Sequence, residues 1–90
     1  MNEQQILEEL LGLLEANDVI IRSEALSGTG GGLCTIRGRP VFFVDTQAPS
    51  ADMAAICAEA VARAVDTEKV YIKPEVRQFI EKHSNKKGQW

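Results

Sequence analysis

Residues 33–44, LCTIRGRPVFFV, hold two short runs dense in β-branched and aromatic side chains, LCTIR and PVFFV, on either side of Gly38-Arg39. Two such runs separated by so short a turn signal read as a β-hairpin. Gly38 supplies a positive φ at little steric cost. Pro40 has no N–H for a ladder, so it is expected at the turn or on an edge. A lone hairpin is marginal in water, so the rest of the 90-residue chain must cover it.

The segments that could do so are readable from their periodicity. Ile6, Leu7, Leu10, Leu11 and Leu14 recur at helical spacing, with Glu3, Glu8, Glu9 and Glu15 mostly away from them. EAND ends this helix, with Asn17 expected in the left-handed conformation. VIIRSEAL reads as a non-central strand, with Val19 and Ile21 on one face and Ile20, Arg22 and Glu24 on the other. A second helix opens after TQAPSAD, where Ser50 suits an N-cap and Asp52 the positive end of the dipole. Its stripe is Met53, Ile56, Cys57, Ala60, Val61, Ala64 and Val65, small enough for close approach to a neighbour. KVYIKP reads as an extended link, with a short fourth strand as the alternative. Pro74 opens a third helix, where its missing N–H costs nothing, and Val76, Phe79 and Ile80 face inward.

The order α-β-β-β-α-(β)-α predicts an α+β domain over residues 1–83, with the helices mainly on one face of an antiparallel meander. Residues 84–90 read as a flexible tail. A core of this size contributes only about 3–5 kcal/mol in chains slightly shorter than this one, so self-association is expected.

Charge and composition exclude several functions. The net charge of −3 argues against general nucleic-acid binding. An acidic start (Glu3, Glu8, Glu9, Glu15, Asp18) and a basic end (Lys69, Lys73, Arg77, Lys82, Lys86, Lys87) read as two solvated faces. The longest apolar run, PVFFV, is too short to span a bilayer. MNEQQILEEL has no basic n-region, so no secretory signal is read and a cytoplasmic protein with reduced thiols is expected.

The glycine stretch SGTGGGLC, residues 27–34, invites a phosphate-binding reading. A dinucleotide fingerprint starting at Gly28 and Gly30 would need glycine at position 33, which is Leu33, and a helix to follow. Neither condition is met, and the plain reading is a flexible connection between strands. An anion nest of backbone donors remains open. The ligand-binding candidates are therefore Gly30, Gly31, Gly32, Arg37, Arg39 and Asp45, with Lys73 and Arg77 as further cations. Cys34 is the one nucleophile candidate, with His83 and Asp45 as residues that could activate it. Cys34, Cys57 and His83 have no ligand spacing, so no metal and no cofactor are expected.

GGGLCTIRGRPVFFVD and VYIKPEVRQFI together resemble a group of small bacterial proteins of unknown function. Those pair a Gly-Gly-Leu-Cys run with a hairpin, an alanine- or glutamate-rich helix and a final Pro-x-x-Arg. The resemblance covers residues 27–80 and implies a shared fold with no assigned activity. The hairpin-to-helix run also resembles the core of small zinc-dependent peptidases, whose helix carries His-Glu-x-x-His. Here Ala58-Glu59-Ala60-Val61-Ala62 stands in that place, and alanine at both imidazole positions leaves nothing to hold zinc. These readings converge on a non-enzymatic domain acting through protein contact or self-association. The alternative is a small-ligand binder or thiol enzyme using Cys34, the Gly28–Gly32 loop and Arg37 or Arg39.

Overall fold

The computed structural model of the chain describes residues 1–84. Trp90 and all but the first residue of the expected 84–90 tail lie outside the described residues. Three helices and three strands follow one another as α1 (Glu3–Ala16), β1 (Ile20–Glu24), β2 (Gly31–Ile36), β3 (Arg39–Asp45), α2 (Ser50–Ala64) and α3 (Pro74–Ser84). The fold is α+β, as the periodicities require.

Helix α1 begins on a capping box. The Asn2 side chain accepts from the Gln5 N–H (2.8 Å), and the Gln5 side chain accepts from the Asn2 N–H (3.0 Å). At its other end Asn17 is not left-handed: φ is −112°, and its side-chain amide donates to the Leu13 carbonyl. The left-handed residue is Asp18, one position later, with φ 67°. Helix α2 starts at Ser50 with Pro49 as its N-cap, so Ser50 is not the cap; its hydroxyl donates to Gln4 of α1 instead. Helix α2 lies at the centre of the molecule, touching α1, α3, β2 and β3. Hence Ala54 and Ala58 are buried along with Met53, Cys57, Ala60, Val61 and Val65 of the expected stripe, whereas Ile56 is half-buried and Ala64 exposed. One apolar core runs from Ile6 through Phe42 and Val61 to Ile80. The extended link 69–73 forms no strand. Within it Lys73 donates to Glu9 of α1 (2.9 Å), a hydrogen bond that raises the lysine's pKa and joins the acidic start to the basic end at one point.

The sheet is not a meander. Its order is β1-β3-β2, with β1 parallel to β3 and only β2 antiparallel to it. The hairpin tip is Arg37-Gly38, both at positive φ (52° and 79°), rather than Gly38-Arg39. This is the two-residue turn whose twist matches the flanking strands. Pro40 therefore falls inside the central strand, paired with Thr35. It is tolerated there because the register with β1 begins one residue later, at Ile20↔Val41. On that side Pro40 occupies a local edge.

Candidate functional site

Strand alternation assigns each sheet residue to a face. Ile21, Leu33, Phe42 and Val44 join the core beneath the helices. On the opposite face stand Ile20, Arg22 and Glu24 of β1, Cys34 and Ile36 of β2, and Val41, Phe43 and Asp45 of β3. Among the described residues no helix lies on that face, since α1 and α2 pack on the core side and α3 packs on α2 and α1. Its middle is apolar. Val41 is buried between Ile20 and Cys34, its two cross-strand neighbours, while Ile20 and Ile36 are each about two-fifths exposed. Arg22 stacks over the Phe43 ring at 5.8 Å and pairs with Glu24 at 3.0 Å.

Among the described residues the glycine stretch covers the Asp45 end of this face and nothing covers the rest. Chain direction explains why. β1 ends beside Asp45, β2 starts beside Val44, and β3 lies between them. Residues 25–30 must therefore cross the end of β3. Asp45 holds that crossing. Its carboxylate accepts from the backbone N–H groups of Gly30 (2.9 Å), Leu26 (3.1 Å) and Gln47 (2.9 Å). The Gln47 side chain takes the Ser27 N–H at 2.7 Å, and Thr29 closes a turn on the Leu26 carbonyl. Asp45 is only 1 % exposed. Burial pushes its pKa up, but the backbone donors outweigh burial and hold the carboxyl below its ordinary value. Two glycines are obligatory here. A Cβ on Gly30 would meet Ile56 at 2.9 Å, and one on Gly31 would strike the Phe43 carbonyl; both have positive φ. The stretch connects the two edge strands as a crossover stapled to Asp45, and the donors of Leu26 and Gly30 point at the protein's own carboxylate.

The sequence-derived candidates separate accordingly. Gly30 and Asp45 meet. Arg37 and Arg39 stand at the other end of β3, about 20 Å away along a seven-residue strand. Lys73 is engaged with Glu9, and Arg77 donates to the Thr67 carbonyl (2.9 Å). Cys34 is exposed on the outer sheet face. His83 lies on α3 beyond the helix layer, its ring 4.4 Å from that of Phe79, so neither it nor Asp45 is placed to activate Cys34. Cys57 is buried in α2, where desolvation pushes its thiol up to about 12. Among the described residues no three His, Cys, Asp or Glu side chains converge as metal ligands, and no helix is long and apolar enough to cross a membrane.

The donors at Leu26 and Gln47 were not legible beforehand. The available signal was Asp45 itself, an aspartate at a strand end followed by polar residues, where a side chain accepting from the residue two positions on is a common turn device. The apolar character of the outer face was legible only conditionally, because it depends on how β1 pairs. No protein-family model, curated protein or solved structure matches the chain.

Proposed function

We propose that the protein is a non-enzymatic contact module whose outer sheet face receives a partner protein. One observation carries this reading: among the described residues all three helices sit on the other side of the sheet, and none covers Ile20, Ile36, Phe43 and the groups around Val41. An apolar centre rimmed by Arg22, Glu24 and Arg39 is the usual anatomy of a binding patch. Arg22 stands over Phe43, and arginine and aromatic residues are both enriched in protein interfaces.

A photo-crosslinking amino acid at position 43 tests it in cells that make the protein. Discrete protein adducts are expected from position 43, and loss of those adducts when Ile20→Lys is added. Adducts equally abundant from a solvent-facing control such as Glu8, or unchanged by Ile20→Lys, would sink the reading. The thiol alternative draws less support, because Cys34 lies on an open sheet face while the loop donors are turned onto Asp45.

A further inference from the structure

We infer that a second copy of the chain docks on the open edge of β2, antiparallel and centred on Cys34, so that two three-stranded sheets join into one. This edge is a different surface from the outer face, and either reading can fail without the other.

Both β1 and β2 are edge strands, and they are guarded differently. The β1 edge carries Arg22 and Glu24 as an ion pair, the kind of charge that discourages further pairing. From Gly31 to Ile36 β2 has no charge and no proline. Among the described residues, no hydrogen bond reaches 32–36 from any segment but β3. An uncharged, uncovered edge is a template for another strand, and a two-fold axis makes the same strand its own partner.

The register follows from side-chain shape. Centred on Cys34, the pairing sets Ile36 of each copy opposite Gly32 of the other. Ile36 is 41 % exposed, and open space surrounds the place where a side chain on Gly32 would stand. The bulky residue covers the bare one twice. On the helix side, Gly32, Leu33, Ile56, Glu59, Ala60 and Arg63 line a shallow groove of about 190 Å³ along the same edge. Glu59 and Arg63 are exposed, and neither has an ion pair among the described residues. Two antiparallel copies of α2 bring each Arg63 towards the partner's Glu59, so the flank is complementary in charge to itself.

Directly opposed residues of antiparallel strands have Cα atoms about 4.5–5.5 Å apart, inside the range of about 4.4–6.8 Å that a disulfide spans. The test is therefore direct. The full chain is followed by sedimentation from micromolar to millimolar concentration. It is then treated with diamide, which takes up the two electrons and two protons as two Cys34 thiols become one disulfide. A concentration-dependent dimer, trapped by diamide through Cys34, is expected. Cys34→Lys places like charges at the axis and should weaken the dimer by about ten-fold or more. Glu59→Arg should weaken it too, and the double variant E59R/R63E should restore it. Circular dichroism of each variant confirms folding, and Phe43→Lys should leave the dimer intact. A strict monomer up to millimolar concentration overturns the inference. So does a dimer that survives both Cys34→Lys and Glu59→Arg, or one that only Phe43→Lys abolishes.

Discussion

Phe42 and Phe43 are neighbours in one strand and have opposite fates. Phe42 is fully buried under the helices, and Phe43 lies half-buried on a face that, among the described residues, is covered at its Asp45 end alone. The same residue type thus fills the core on one side of β3 and stands on the helix-free face on the other. The face, rather than the residue type, decides the burial, because strand alternation sends adjacent side chains to opposite sides of the sheet.

The largest effect that could break this contrast is at Phe42. Phe42→Ala should cost about 3–5 kcal/mol in denaturant melts, by lost transfer energy and the cavity left behind. A cost near that of an outer-face change would mean that the two faces are not distinct. Gly31→Ala should cost about 1–3 kcal/mol from the left-handed backbone alone, with displacement of the Phe43 carbonyl added. Its companion change, Gly12→Ala in α1, meets open space and should stabilise the protein slightly.

Acid should loosen the covered end of the outer face. The Asp45 carboxyl has a lower pKa folded than unfolded, so its contribution is fully present above the unfolded value of about 3.9. That contribution is lost as pH falls from there through the folded value. Asp45→Asn should lower stability at neutral pH and flatten the acid limb of a stability–pH curve. An unchanged acid limb would show that the staple does not hold the crossover. Phe43→Lys should be milder still, about 1 kcal/mol or less, since it removes only a half-buried contact on an open face.

The smallest effect on the fold, and the sharpest for the faces, concerns the two thiols. In dilute, monomeric protein Cys34 should be alkylated readily and Cys57 only after unfolding, since its thiol is buried and pushed up to about 12. Two fast thiols in the native state would contradict the layering.

Much of this is legible in the amino-acid sequence alone. The three helices, the hairpin, and the split of Val19 and Ile21 from Ile20, Arg22 and Glu24 all follow from local periodicity, because amphipathic spacing reports which side of an element meets the core. The candidate ligand set fared differently. Gly30 and Asp45 do meet, but as a structural staple, and Arg37 and Arg39 stand at the far end of the strand.

What the amino-acid sequence determined by itself is the set of elements and the side of each that faces inward, since both are written in spacings of two and of three to four residues. What only the tertiary structure decided is the edge of the hairpin that β1 joins. Alternation is identical for a parallel and an antiparallel neighbour, so VIIRSEAL is compatible with a place beside β2 or beside β3. In the folded chain it lies beside β3, where the Asp45 carboxylate accepts a backbone N–H from as far back as Leu26, nineteen residues earlier. That contact exists only once the chain has crossed the end of β3. With it come the bare outer face and the two exposed edges on which the proposed contacts depend.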